Sequence, residues 1–312
     1  MDHDTVTRTF TLAAEKLGER AGQIVRMAAY LAPDAIPEDI LADGNAPDIE
    51  FRDAVADATR SSLIRRNPVT KTIDIHRLVQ DVVKDTMDAR SAHYWIERVA
   101  DSLSKSFPEE VEFKTWSLCD RLLPHARIVA AEVLRLSIES PGAARLLNQA
   151  AWYLGERAQY KEAEPLLKRA VEIREKALGP AHPDTASSLS DLAGIYSGQG
   201  QYKEAEPLLK RALEINEKAL GPHHPDTATS LNNLADTYSG QGQYKEAEPL
   251  LKRALEIREK ALGPAATSVG ILGGGVEHPV VAKLAANYAH VLQKLGRGYE
   301  AHKLRTRFRV KP

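Results

Sequence analysis

The sequence predicts a mainly α-helical protein in which pairs of helices stack into an array, preceded by a small domain with a β-hairpin. A segment from 200 to 222 recurs from 242 to 264 with one change, Asn216 to Arg258, and a slightly altered copy runs from 158 to 180. A fixed period of 42 residues is typical of repeat architectures, in which each unit covers the apolar face of its neighbour. The spacing of apolar residues within the copies predicts the helices, and the two short strand-like segments on either side of residue 70 predict the hairpin.

The repeated segment has the spacing of an amphipathic helix. Glu–Lys pairs four residues apart on its polar face contribute only about 0.2–0.5 kcal/mol each, so packing must supply most of the stability. The apolar residues recur at steps of three and four, and the preceding part of the unit carries a second such stripe. The first stripe is Ala205, Leu208, Leu209, Ala212, Ile215 and Ala219, and the second is Ala186, Leu189, Leu192, Ala193 and Tyr196.

Before the array, the pattern predicts three helices, a hairpin and a closing helix. The hairpin joins 62–66 to 71–75 through a turn at Asn67-Pro68, and His76 opens the closing helix, which runs to about Thr86. This order predicts a winged-helix domain at 1–86. The three preceding helices are expected at 11–31, 37–41 and 51–61.

The remaining chain divides into a helical connector at 87–140 and a repeat array of about four units at 141–312. In the last unit His278-Pro279 follows twelve residues later than the period requires, so residues 265–276 are an insertion. We interpret the insertion as a loop between helices, since lengthening a surface loop costs little free energy. The alternative is that it is a contact loop for a partner.

Composition restricts the class of protein. Of 312 residues, 43% are hydrophobic and 27% charged, which is typical of an ordered, helix-rich, soluble protein. The net charge of −1 implies no bulk attraction to nucleic acid or to an anionic membrane. No apolar run approaches the roughly 20 residues of a membrane helix, and the N-terminus lacks the apolar core of a secretory signal. We therefore expect a cytoplasmic location and no membrane contact.

The pattern Leu192-Ala193-x-x-Tyr196…Gly200…Tyr202 resembles the tetratricopeptide repeat (TPR), and the period and the His-Pro-Asp-Thr-Ala segment resemble the kinesin-light-chain subtype. The resemblance implies a right-handed superhelix whose concave groove is lined by the first helix of each unit and binds a peptide or a protein. The groove positions carried over are Arg145, Asn148, Trp152, Ser187, Ser190, Thr229, Asn232, Asn233, Asp236, Lys283, Asn287 and His290.

The variation among the copies supports this interpretation. The second helix of each unit is nearly invariant, whereas the groove positions of the first helix change chemical type from unit to unit. A surface that binds one partner would show this pattern, and so would drift on an unused surface. The lysine and asparagine arrangement of carboxylate-clamp repeats is not reproduced, so a chaperone tail is not the expected partner.

A second resemblance covers the N-terminal part. The segments LAPDAIPEDI at 31–40, LIRR at 63–66 and IDIHRLVQDV at 73–82 resemble the winged-helix domain of STAND ATPases in which an NB-ARC module precedes TPRs, and 115–126 resembles their helical connector. The chain has no Gly-x-x-x-x-Gly-Lys-[Ser/Thr] phosphate loop. The resemblance implies the regulatory C-terminal part of such a protein, or a stand-alone relative, with an upstream NB-ARC module as a further partner. It gives His76 a nucleotide-sensing role only when that module is present.

The sequence offers no catalytic or metal-binding constellation, so we expect a non-enzymatic protein without a cofactor or a metal. His182, His224 and His278 lie at equivalent positions of stacked units, about 8–10 Å or more apart, which is too far for a shared ion with ligands at about 2.0–2.1 Å. We interpret them as turn residues before proline. Cys119, the single cysteine, is expected to be a buried structural thiol.

The second functional hypothesis is a DNA-binding winged helix that the repeats regulate. Its reading helix would be 51–61, where affinity for phosphates requires basic residues. That segment and the residues just before it are rich in Asp and Glu. The one basic cluster is on the wing and consists of Arg65, Arg66 and Lys71. Nucleic acid is therefore not an expected partner.

Overall fold

A computed structural model of the chain describes residues 10–14, 16–44, 47–108, 113–262 and 279–308. The predicted mainly α-helical class is confirmed, and the chain divides into two compact units after Ile173. The first unit contains strands β1 Ile36–Pro37, β2 Ile64–Asn67 and β3 Thr72–Ile75 and helices α1 Glu19–Ala28, α2 Glu38–Leu41, α3 Ile49–Arg60, α4 Arg77–Asp85, α5 Ala89–Ser106, α6 Trp116–Arg135 and α7 Pro141–Glu156. The division falls within α8, Tyr160–Leu178, and the second unit contains α9 Pro183–Gly198, α10 Tyr202–Ala219, α11 Pro225–Gly240, α12 Tyr244–Leu262, α13 Pro279–Lys294 and α14 Gly298–Arg307.

The predicted hairpin forms, and the sheet has one more strand than the sequence pattern indicates. Strands β2 and β3 are antiparallel, and the turn is fixed by the side chain of Asn67, whose Oδ1 accepts from the amides of Val69 and Thr70 at 3.0 and 3.3 Å. The additional strand β1 pairs with the other edge of β3, with Ile36 opposite Ile73. The three-stranded order is therefore β1-β3-β2.

The continuous helix predicted for 11–31 is wrong. Residues 10–14 are helical, but Gly18 has φ −57° and ψ 156°, an extended conformation in which a helix cannot continue, and α1 begins at Glu19. The amide of Gly18 donates to the carboxylate of Asp57 in α3 at 3.2 Å, which holds the break. The apolar stripe predicted for this helix was Leu17, Ala21, Ile24, Ala28 and Leu31; all are buried except Leu17, which lies before the break and is only partly buried.

Buried polar side chains connect the elements of the first unit. Gln80 in α4 donates from Nε2 to the carbonyls of Ala28 and Leu31, both at 2.9 Å, and so satisfies acceptors left open where α1 ends. His125 in α6 accepts from the amide of Ala32 at 3.1 Å through Nδ1. Burial lowers the pKa of His125 to about 4, so this imidazole is neutral at physiological pH.

In the second unit each pair consists of a first helix, which we call helix A (α9, α11 and α13), and a second helix, which we call helix B (α10, α12 and α14). His182 caps α9 by accepting from the amide of Asp184 at 3.1 Å, and Pro183 occupies the first helical position, where its missing amide costs nothing. Thr185 then donates to the carbonyl of Gly179 at 3.0 Å, which fixes the connection to the preceding helix. The same contacts recur 42 residues later at the start of α11.

The apolar stripes of the repeat form the core of the second unit, with three exceptions, one of which is Tyr196 of α9, which is half-buried. Ala205 and Ala212 are fully buried, as expected for the small residues where helices approach most closely, and Leu209 and Ile215 are also buried. Leu208 is only half-buried, and Ala219 is exposed because α10 ends at that residue, beyond the region that packs. The inserted segment 265–276 lies outside the described residues.

The turn between helix A and helix B favours glycine, although Ala158 adopts the same left-handed conformation, with φ of 56°, at the equivalent turn of the first unit. Gly200 and Gly242 have φ of 74° and 76°, the left-handed region that side chains rarely adopt. Each turn is closed by a backbone hydrogen bond of 2.8 Å that returns to the preceding helix, from Gln201 to the carbonyl of Tyr196 in the first case. The turn therefore sets the antiparallel arrangement within each pair.

Candidate partner-binding surface

The predicted groove residues lie on first helices of the repeats. Ser187 and Ser190 are on α9, Thr229, Asn232, Asn233 and Asp236 on α11, and Lys283, Asn287 and His290 on α13. The remaining three, Arg145, Asn148 and Trp152, lie on α7 in the first unit. Within that unit Arg145 is exposed and Trp152 is 40% exposed, whereas Asn148 is 8% exposed and so offers little surface to a ligand.

Three of these side chains form one hydrogen-bonded group, which we call the Asn–Asp cluster: Asn232, Asp236 and Asn287. Asn287 donates from Nδ2 to Oδ1 of Asn232 at 3.1 Å and to Oδ1 of Asp236 at 3.0 Å. Asn232 donates from Nδ2 to Oδ2 of Asp236 at 3.2 Å. The cluster connects α11 with α13 on their helix A sides and fixes the orientation of two amides and one carboxylate.

Asp236 has an unusual electrostatic environment. Desolvation by the surrounding protein raises the pKa of its carboxyl from 3.8 to about 6, and the charge of Lys283 and the hydrogen bond from Asn232 offset only part of this effect. The residue is nevertheless exposed to water. We attribute the combination to protein atoms surrounding the carboxylate on several sides while its face remains open.

Arg258, on α12, was not among the predicted site residues. Its guanidinium donates to Oγ1 of Thr229 on α11 at 2.6 Å, so it adds a positive charge beside a predicted groove position. The sequence contained a signal for it, because this is the one position at which the copy from 242 to 264 differs from the copy from 200 to 222.

The equivalent residues in the other copies make different contacts. Arg174 donates to the carbonyl of Asp184 and to Oγ of Ser188, both at 2.7 Å. Asn216 is buried, donates to Oγ of Ser230 at 2.9 Å, and has a carbonyl oxygen with no hydrogen-bond partner among the described residues. The helices α8, α10 and α12 are nearly identical in sequence, but at this one position they make different contacts with the helix that follows or precedes them.

Other predicted positions lie near this surface without joining the cluster. Ser187 donates to the carbonyl of Pro183 in its own helix at 3.3 Å, and Thr229 does the same to Pro225. The ring of His290 meets Tyr244 edge-on, with 6.5 Å between centroids. Ser190 and Asn233 are half-buried.

The other candidate residues have local structural roles. His76 is exposed and caps α4, accepting from the amide of Leu78 at 3.2 Å through Nδ1. His182 and His224 are helix caps, as their interpretation as turn residues requires, while His278 lies outside the described residues. Cys119 is a buried thiol whose pKa is raised by burial and by Asp120, as expected for a structural cysteine.

Two of the three basic residues of the predicted wing, Arg65 and Arg66, are engaged by carboxylates, and the third, Lys71, is exposed. Arg66 makes two hydrogen bonds, of 2.6 and 3.1 Å, to Glu38, which is 3% exposed. Arg65 makes two to Oδ2 of Asp74, at 3.2 and 2.9 Å. The guanidinium of Arg66 is therefore largely neutralised within the fold, whereas that of Arg65, whose side chain is 83% exposed, is paired weakly at the surface.

Comparison with known families shows which parts of the chain have relatives. The family model described as tetratricopeptide repeat matches residues 142–218 and 184–260. A second model, described as a domain of unknown function (DUF7779), matches residues 12–92. Along the described residues, no helix combines the length and apolar composition needed to cross a membrane.

Two solved structures and one further protein are similar to parts of this chain. A protein from Podosopora anserina, described as a kinesin light chain with nearly identical TPR-like repeats, is 27% identical with a TM-score of 0.50, covering 70% of this chain and 92% of that one. The apo form of RapI is 17% identical with a TM-score of 0.51 over 69% of each chain, which shows a similar fold alone. A nucleotide-binding leucine-rich repeat (NLR)-like protein of Hyaloscypha variabilis is 30% identical over 181 residues, 57% of this chain and 18% of that protein. The matched region thus spans less than a fifth of that relative. The chain contains tetratricopeptide repeats, and such repeats are protein-interaction modules.

Proposed function

We propose that the helix A side of the repeats binds an extended, polar segment of a partner protein, and that the chain is a non-enzymatic interaction and sensor module. The presence of tetratricopeptide repeats supports protein binding in general. The observation that carries the choice of ligand is the Asn–Asp cluster, in which two amides and a carboxylate are held on the side of α11 and α13 where the predicted groove lies.

The chemistry of the cluster suits a peptide main chain. Amide side chains both donate and accept, so they can pair with the carbonyls and amides of an extended segment, and the carboxylate of Asp236 accepts from amides. Arg258 and Lys283 add positive charge nearby, which favours a segment with an acidic or hydroxyl-bearing side chain. On α7 the half-exposed ring of Trp152 offers a contact of a different kind, to an apolar or aromatic residue.

We further propose that the chain is the regulatory C-terminal part of a STAND-type signalling protein. Support comes from the NLR-like relative, which the chain matches over 18% of its length, and from the sequence resemblance of 31–82 to a winged helix. The order of helices and antiparallel strands in the first unit is compatible with that fold. His76 uses Nδ1 to cap α4, so Nε2 is the nitrogen that would contact a phosphate if an upstream module supplied a nucleotide.

The described residues offer no observation in favour of the DNA-binding alternative. The arginines that would contact phosphates on the wing are paired with Glu38 and Asp74. On α3, Arg60 pairs with Asp57 at 3.3 Å, and Arg52 donates to the carbonyl of Pro47. Releasing these groups to phosphate would cost the contacts that they make in the fold.

The experiment selects peptides from a random display library with the whole chain and measures their affinity for variants by calorimetry. Asn232→Ala should weaken binding about tenfold, because it removes a member of the cluster that both donates and accepts. Asn233→Ala is the matched comparison, since it makes the same change one residue away on the same helix but outside the cluster, and it should weaken binding less than Asn232→Ala.

Thermal melting of each variant separates loss of binding from loss of fold. Equal effects of the two substitutions, or none, would contradict binding at the cluster. A third outcome would be that deletion of 265–276 abolishes binding while Asn232→Ala has no effect. That result would identify the inserted segment as the recognition element instead.

A further inference from the structure

A cleft of about 440 Å³ in the first unit is separate from the surface described above. It lies between the helical segment 10–14, α1, the C-terminal end of α4 and the start of α5, so four segments contribute to it. This volume falls within the range of small-molecule sites, about 300–1,000 Å³. Its lining combines apolar side chains with one charged group: Thr11, Ala14, Leu17, Gly22, Val25, Arg26, Val83, Thr86, Met87, Ser91 and Trp95.

Arg26 is an exposed residue whose guanidinium lies at this cleft between two neighbours, Trp95 and Gly22. It lies over the ring of Trp95, with 5.9 Å from its central carbon to the ring centroid, a cation–π arrangement. On its other side is Gly22, where a Cβ atom would lie 3.0 Å from the Nη1 nitrogen, so the absence of a side chain makes room for the guanidinium. Nowhere along the described residues does a carboxylate lie within ion-pair distance of Arg26.

The remaining polar groups of the cleft are already engaged. Thr86 donates its hydroxyl to the carbonyl of Val83 at 2.8 Å. Ser91 bonds through its amide to Asp88, the cap of α5, and its side chain interacts with the same carboxylate. Arg26 is thus the one charged donor that the described lining offers, beside an apolar wall formed by Val25, Val83, Met87 and Trp95.

We propose that this cleft binds a small amphipathic anion, in which a single carboxylate or sulfonate pairs with Arg26 and an apolar body fills the rest of the volume. A charge-assisted hydrogen bond to a positioned guanidinium fixes the head group, and burial of the body against the wall supplies most of the affinity. A phosphate monoester or another dianion fits less well, because the described lining of the cleft lacks a second cationic donor.

The test measures binding of 8-anilinonaphthalene-1-sulfonate to the whole chain by its fluorescence, with octanoate and octanol as competitors. We expect saturation at one site per chain and displacement by octanoate in preference to octanol. Arg26→Gln should weaken binding of the sulfonate at least tenfold, roughly the loss of one charge-assisted hydrogen bond. Arg60→Gln, which removes the same charge from an exposed side chain at the end of α3, is the control and should have no effect.

A second variant separates the position of the guanidinium from its charge. Gly22→Ala keeps Arg26 but introduces a Cβ atom 3.0 Å from it, so the guanidinium must move, and affinity should fall severalfold while the fold is retained. The absence of saturable binding would overturn the proposal. So would equal affinity of Arg26→Gln and the parent, an equal loss in Arg60→Gln, or full displacement by octanol.

Discussion

Replacing Gly240, the last residue of α11, by alanine is predicted to destabilise the fold, although alanine is the better helix former. A Cβ atom at this position would lie 2.5 Å from two ring carbons of Tyr202 and 2.8 Å from its hydroxyl. Ordinary van der Waals separations are about 3.5–4.0 Å, so the ring or the helix would have to move by about 1 Å. Tyr202 lies in the first turn of α10, which packs against α11, and the residue is partly buried, so movement of its ring disturbs this packing.

The sign of the effect follows from comparing two terms. Replacing glycine by alanine inside a helix stabilises by about 0.8–1 kcal/mol, whereas overpacking costs about 1–3 kcal/mol or more. We therefore expect Gly240→Ala to lower the free energy of unfolding by about 1–2 kcal/mol. Gly194, inside α9, is the matched control, because a Cβ atom there meets nothing within 4 Å. Gly194→Ala should stabilise by about 0.5–1 kcal/mol.

Urea unfolding followed by circular dichroism gives both values, and a second substitution tests the cause. Tyr202→Phe keeps the two ring carbons and should not rescue Gly240→Ala, whereas Tyr202→Ala removes them and should make Gly240→Ala nearly neutral in the double variant. If Gly240→Ala were as stable as the parent, or if Tyr202→Phe rescued it, the ring would not be the obstacle and the assigned packing of α10 on α11 would be wrong.

Two further predictions concern the second unit. Asn216→Arg should raise the free energy of unfolding by about 0.5–1.5 kcal/mol. Arg174 at the equivalent position donates hydrogen bonds to a carbonyl and a serine hydroxyl, whereas Asn216 leaves its own buried side-chain oxygen without a partner among the described residues. A lower urea midpoint for the variant would show that α10 and α11 pack too closely for a guanidinium. Asp236 has a folded-state pKa of about 6, above its ordinary 3.8, so the folded state holds the proton more tightly and loses stability as pH rises from about 4 to 6. Asp236→Asn should remove this dependence, and parallel urea midpoints for the parent and the variant across that range would contradict it.

The repeats and the hairpin could be predicted because their signals are local. Copies 42 residues apart imply that every unit buries the same stripes, and the segment at 62–75 has the residues of a hairpin turn. Strand β1 has only two residues, Ile36 and Pro37, which is too few for alternation to be visible. The break at Gly18 depends on a contact with Asp57, 39 residues away, which no local pattern reveals.

The groove positions were predicted as a set, but their arrangement was not. Asn287 is equivalent to Asn233 once the twelve-residue insertion is allowed for, and its side chain reaches back to Asn232 and Asp236 on the preceding helix A. Such pairing depends on how two helices approach each other, so a sequence pattern cannot supply it. Arg258 was missed because it lies on a helix B, where the copies were treated as uniform. The winged-helix assignment, the domain boundaries and the groove as a binding site remain predictions.

The near-identity of α10 and α12 gives the gene a simple way to change the size of the protein. The junction from Gly179 to Thr185 and the junction from Gly221 to Thr227 carry the same hydrogen bond, so each unit begins where the previous one ends in the same way. Recombination between copies that adds or removes one period of 42 residues would leave every such junction with its usual partner. Under the proposed function, copy number would set how long a bound segment can be, while substitutions on helix A would set which residues of the partner are preferred.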